Sequence, residues 1–254
     1  MREEYRQDLR DIYDDAIGIF EDLALVVRRS VDALIEGDVD VARAIIKGDE
    51  EFNQRTTELE EKILLITATQ FPVARDVRLL QTLVSIAMHL ERIGDLCVSI
   101  ARTTKRTGGG DSNKSNKSMI GLIQAQGNLV YRVLDTTIEA MRESDLELAA
   151  QLPELDEPID ELYGQFFKEV AKLKEKKELK WASQMVLASR YLERIADHSI
   201  DIGERLVFLV TGERASLEEV AEELAADTDD DDGNCKLGRS DGPSNIDENR
   251  VGAL

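Results

Sequence analysis

Apolar residues recur at intervals of three and four along most of the chain, the signature of amphipathic helices. Leu9, Ile12, Ala16, Ile19, Leu23, Val26, Val27 and Val31 form the first stripe and predict a helix over 5–36. Gly37-Asp38 ends it: glycine suits the position after a helix, and Asp38 can cap the next one. A short helical turn is expected to Lys47. Gly48-Asp49 then opens a long helix to Gln70, which Phe71-Pro72 breaks because proline disfavours helix in the residue before it. Leu79, Leu83, Ile86, Leu90, Ile93, Cys97 and Ile100 form the stripe of a third helix over 72–106.

Residues 107–118, TGGGDSNKSNKS, have no apolar anchor and read as a flexible linker. The pattern then restarts. A fourth helix is expected over 119–142, a short turn over 146–151 after Ser144-Asp145, a fifth helix from Asp156 to Lys176 with Pro158 in its first turn, and a sixth over 178–209. A stretch SLEEVAEELA follows, and the remainder is rich in Asp, Gly, Asn and Ser and reads as disordered.

The restart is a repeat. LERIGDLCVSI at 90–100 returns as LERIADHSIDI at 192–202, an offset of 102 (192 less 90). DALIEGDVDVA at 32–42 matches EAMRESDLELA at 139–149, an offset of 107 (139 less 32). The difference implies a length change of five residues, placed most cheaply at the turn joining the last two helices. Repetition on this scale decides architecture before local propensity does. The expectation is an all-α chain of two tandem three-helix bundles, 1–106 and 119–213, joined by the linker and followed by an acidic, mostly disordered tail over 214–254.

Composition narrows the function classes. The chain has 254 residues, 52 acidic against 32 Lys and Arg, and a net charge of −20, which argues against nucleic acid as a direct partner. Such acidity is the pattern of a halophilic archaeon's cytosolic protein and reads as habitat more than mechanism. The charged start MREEYRQDLRDIYDD is not that of a signal peptide, and no apolar run is long enough for membrane insertion. A cytoplasmic protein is expected. Cys97 and Cys235 show neither a disulfide framework nor zinc-type spacing.

Candidate chemistry lies in carboxylates. On a wheel at about 100° per residue, Leu90 and its stripe point to the core while Glu91 and Asp95 fall outside it, facing outward from their bundle. Glu193, Asp197 and Asp201 stack in the same way in the second repeat. Asp49/Asn53 and Asp156/Asp160 stand at the same spacing on the middle helices, although Asp49 and Asp156 also read as helix caps. A solvated acidic face accounts for such spacing taken alone. Repelling carboxylates gain from a cation, and hard oxygen donors suit Mg²⁺, Ca²⁺, Mn²⁺ or Fe. His89 reads as a partly buried packing residue, and His198 follows Asp197. Neither has Glu three residues before it, which counts against a di-iron oxidase. Neither a phosphate loop nor a nucleophile–base pair is recognisable.

The double LERI-x-D signature, the EGD…A…GDEEFN segment and the FPVARDVRLL turn together resemble the PhoU family over residues 5–212. The resemblance implies two bundles related by a pseudo-twofold, a homodimer or larger oligomer, and no enzymatic activity. It implies negative regulation of phosphate uptake and of phosphate-starvation signalling, through the ATPase and permease of the phosphate ABC transporter and, where one exists, a sensor histidine kinase. It also implies a multinuclear metal (Fe, Zn, Mn, Mg or Ca) on Asp49, Asn53, Glu91 and Asp95 in the first bundle. In the second bundle the ligands would be Asp156, Asp160, Glu193 and Asp197, with Asp201 adjacent. Asn53 departs from the family's acidic motif. The alternatives are a metal-binding helical scaffold and a carboxylate-metal enzyme.

Overall fold

The computed structural model describes residues 2–108 and 116–229. The helices are α1 (Arg2–Glu36), α2 (Val39–Thr69), α3 (Ala74–Thr107), α4 (Lys117–Glu143), α5 (Leu146–Ala150), α6 (Leu152–Val170), α7 (Lys176–Thr211) and α8 (Leu217–Asp229); no strand occurs among the described residues. The expected all-helical repeat is present. α1–α3 form one bundle, and α4–α7 repeat it with the middle helix in two pieces.

The turns work as their residues dictate. Gly37 takes φ +73°, and Asp38 accepts from the amides of Asp40 and Val41, each at 2.9 Å, so α2 starts capped. Asp145 caps α5 in the same way, accepting from Glu147 at 2.8 Å and Leu148 at 3.1 Å. Ser144 stands where the first repeat has glycine, and it is left-handed at φ +52°. Serine carries a Cβ into a region that glycine enters freely.

Three expectations at the middle helices are corrected. α2 runs unbroken through Gly48 and Asp49, so Asp49 does not cap a helix; Asp38 has already done so. α6 begins at Leu152, so Asp156 is not a cap either, and Pro158 lies inside the helix and not in its first turn. The interruption before α6 coincides with Pro153, at the position of Ile46 in the first repeat. Proline's missing N–H and its ring disfavour carrying α5 on as one helix there and suit Pro153 to the first turn of α6. The length change falls in a helix and not in a turn: from Asp49 the first middle helix runs to Thr69, whereas from Asp156 its counterpart stops at Val170, six residues sooner.

The halves share a core. α3 packs along α7 and α1 along α4, and one continuous apolar cluster holds Leu23, Leu83 and Leu90 together with Leu134, Ile195 and Leu206. Gly127 lets α4 approach α1, since a Cβ there would stand 2.9 Å from Val31 Cγ1. Tyr13 donates its hydroxyl to the Met141 carbonyl at 2.7 Å, and Arg28 pairs with Asp135 at 2.5 Å, both across the junction. Buried Gln126 accepts from Ser189 at 2.7 Å and donates to the Ile159 carbonyl at 3.2 Å, tying α4 to α7 and α6.

The apolar packing continues past residue 213. Ser216 and Glu219 form a reciprocal capping box at the start of α8, and Leu217 and Val220 are buried against the second bundle. The tail beyond Asp229 and most of the linker lie outside the described residues.

Candidate metal centre

In each half the middle helix lies along the last one, and the paired acids face each other across that groove. In the first half, Asp49 lies over Gly94 of α3, where a Cβ would sit 3.8 Å from Asp49 Oδ1. Burial raises the Asp49 pKa, and Asp95 and Glu91 raise it further. Arg102 opposes them, as does Asn53, whose amide donates to Asp49 Oδ2 at 3.4 Å. Asp95 is exposed and Glu91 partly so, with Arg92 3.8 Å from Glu91 and 3.6 Å from Asp95. A largely apolar cavity of about 160 Å³ opens beside Asp49, lined also by Phe52, Gly94 and Cys97. Burial pushes the Cys97 thiol far up, so it stays protonated.

The second half is more strained. Asp156 is half-buried, and its Oδ1 has no partner. Burial, then Asp160, Asp197 and Glu193, pushes its pKa up to about 7. Glu193, expected to point outward, is buried at 8% exposure. One of its oxygens pairs with Arg190, and Oε2 has no partner. Burial raises the Glu193 pKa against the pull of Arg190. Asp197 is raised too, by burial first, with Arg190 opposing and Asp160 and Asp201 adding. The helical wheel failed here because it treats one helix alone, while α6 packs over the side it left open. Four carboxylates with two orphaned oxygens suit a hard cation.

Neither set is closed to coordination distance. Among the described residues, one group of His, Cys, Asp or Glu donors comes within 4.8 Å of one another: His89, His198 and Asp201. Asp201 thus stands between the acidic stack, where it raises the Asp197 pKa, and the histidine pair. His89 is mostly buried as expected, but its ring meets His198 with the Nδ1 atoms 3.3 Å apart. Asp201 Oδ2 lies 3.5 Å from His89 Nδ1 and 3.6 Å from His198 Nδ1. Burial lowers the His89 pKa, and the hydrogen bond with His198 lowers that of Asp201.

A three-helix unit used twice, with facing acidic pairs between its middle and last helices, defines a duplicated carboxylate-bearing bundle protein. The model described as the PhoU domain matches residues 19–104 and 123–206, one match in each half, and the chain belongs to the PhoU family. It is 28% identical over 219 residues to the phosphate-specific transport system accessory protein PhoU homolog of Clostridium acetobutylicum, covering 85% of this chain and 98% of that protein. It is 24% identical over 212 residues to PhoU homolog 1 of Methanothermobacter thermautotrophicus, covering 83% and 95%. Its fold matches the crystal structure of PhoU from Pseudomonas aeruginosa with a TM-score of 0.75 at 24% identity, covering 82% of this chain and 100% of that one.

Proposed function

We propose that the chain is an accessory regulator of phosphate-specific transport, an adaptor and not an enzyme. The observation that carries this is the family match in both repeats, with relatives named as accessory proteins of that transport system over almost their whole length. The adaptor restrains uptake when phosphate is plentiful by docking on the cytoplasmic side of the transporter's ATPase and permease. A sensor kinase, where the organism has one, reads the same docked state. No helix among the described residues is long and apolar enough to cross a membrane, so membrane association in this reading runs through a partner.

A docking surface of suitable character exists at the turn joining α2 to α3, where Leu64, Leu65, Phe71, Val73 and Val77 are exposed. Exposed apolar ends of this kind favour protein contacts. The acidic grooves, well removed from that turn along the helices, would hold metal on Asp156, Asp160, Glu193 and Asp197 in the second half. In the first half the ligands would be Asp49, Glu91 and Asp95, with Asn53 as a neutral partner. A bound cation supplies charge neutralisation there.

The test is a tagged chain recovered from phosphate-replete and phosphate-starved cells. The transporter ATPase is expected to accompany it from replete cells, and a deletion strain is expected to take up phosphate without restraint. Normal regulation of uptake and of starvation genes in the deletion strain would overturn the reading.

A further inference from the structure

The geometry points to a second kind of metal site, formed by His89, His198 and Asp201, that takes a zinc-type divalent cation and staples the two halves together. It is separate from the carboxylate grooves: His89 comes from α3 of the first bundle, and His198 and Asp201 come from α7 of the second.

Three distances carry the inference. The donor atoms form a triangle with edges of 3.3, 3.5 and 3.6 Å. A tetrahedral Zn²⁺ with bonds of about 2.0–2.2 Å separates its ligand atoms by roughly 3.3–3.6 Å. The triangle is thus already one face of a zinc tetrahedron, and an ion can enter without moving a helix. Without an ion the same three atoms hold one another by long hydrogen-bond and charge contacts, which a cation at their centre would replace. Two imidazoles and one carboxylate form a donor set suited to zinc and cobalt, unlike the all-oxygen grooves. The fourth position is left to water, as in three-ligand zinc sites.

The surroundings suit such a staple. The histidine side chains are 12% and 17% exposed, and that of Asp201 is 44% exposed, which leaves the ion a way in. Burial favours neutral His89, the form that ligates. Arg205 acts on both His89 and Asp201 and works against a bound cation, while Glu204 adds negative charge beside Asp201. Because α3 and α7 are packed along each other only in the folded chain, binding there stabilises both halves at once.

The chain has two histidines, so both rings can be read directly in the unmutated protein. Full-length protein stripped with chelator is titrated with Zn²⁺ while histidine ring nitrogens are followed by NMR, and separately with Co²⁺ in the visible. Both Nδ1 signals are expected to move together and to saturate at about one ion per chain. Co²⁺ is expected to give the intense bands of four-coordination, displaced by Zn²⁺. His89→Gln and Asp201→Asn are each expected to weaken Co²⁺ binding by more than about a hundredfold, exceeding the loss of an outer partner. Asp156→Asn with Glu193→Gln is expected to leave the bands intact. Ring signals unmoved at saturating Zn²⁺, or only the weak spectrum of six-coordinate Co²⁺, would overturn the proposal whether or not the variants fold.

Discussion

The first and second bundles use one helical plan but hold charge differently. In the first, α2 is one long helix, the groove contains three carboxylates, and Asn53 donates a hydrogen bond to Asp49 that favours its ionised form. In the second, the middle helix is broken at Pro153, the groove contains four carboxylates, and the raised pKa of Asp156 and orphaned oxygens of Asp156 and Glu193 mark stored repulsion. Duplication preserves packing positions because the core punishes change there. Groove positions answer to solvent and ligands and can drift. The amide in place of an acid at residue 53, the lowering action of Arg102 on Asp49 and the burial of Glu193 together separate a relaxed groove from a strained one.

The broadest test of the comparison is whether the halves are separable at all. Leu90 and Leu192 are equivalent and almost fully buried in one cluster. Leu90→Ala and Leu192→Ala are each expected to cost about 2–5 kcal/mol. Both variants are expected to melt in a single calorimetric transition, and two resolved transitions would break the shared core.

The next effect is on pH dependence. In chelator-treated protein, Asp156 is raised from 3.8 to about 7. A carboxyl that holds its proton more tightly when folded favours the folded state at low pH. That advantage is complete below about pH 4 and is lost as pH rises through 7. At this half-exposed site, solvent screening reduces the effect to about 1–2 kcal/mol. Asp156→Asn should flatten the decline between pH 4 and pH 8 in denaturant titrations. An unchanged slope would remove the strain assigned to the second groove.

A smaller effect separates the turns. Ser144→Gly is expected to stabilise the chain by about 1 kcal/mol, and Gly37→Ser to destabilise it comparably, because both positions are left-handed. In chemical denaturation, a destabilising Ser144→Gly or a stabilising Gly37→Ser would refute that account. Smallest in stability is Asn53→Asp, expected to cost a few tenths of a kcal/mol without metal through like charges one turn apart. The same change is expected to tighten Mn²⁺ binding by the first bundle, and weaker binding would show that Asn53 is itself a necessary ligand.

The helix order was legible because apolar stripes, Gly37, Asp38, Asp145 and Pro72 are local signals. The repeat made the bundle architecture legible in turn. Asp49 and Asp156 misled as caps because one residue can satisfy either reading, and the true starts were set by Asp38 and by the backbone around Pro153. The burial of Glu193 needed the position of α6, which no wheel of α7 contains. His89 and His198 are 109 residues apart, and their meeting depends on the register of α3 against α7 across the two halves. The two histidines were visible as residues and invisible as a pair.

The strained groove is the central claim, and Mn²⁺ titration of the full chain tests it most directly, since a hard cation selects oxygen clusters. Asp156→Asn with Asp197→Asn is compared with Asp49→Asn with Asp95→Asn, each confirmed folded by circular dichroism. The second-bundle pair is expected to remove the tighter Mn²⁺ binding, while the first-bundle pair leaves it in place. Equal losses from the two pairs, or tight binding that survives the second-bundle changes, would contradict the account.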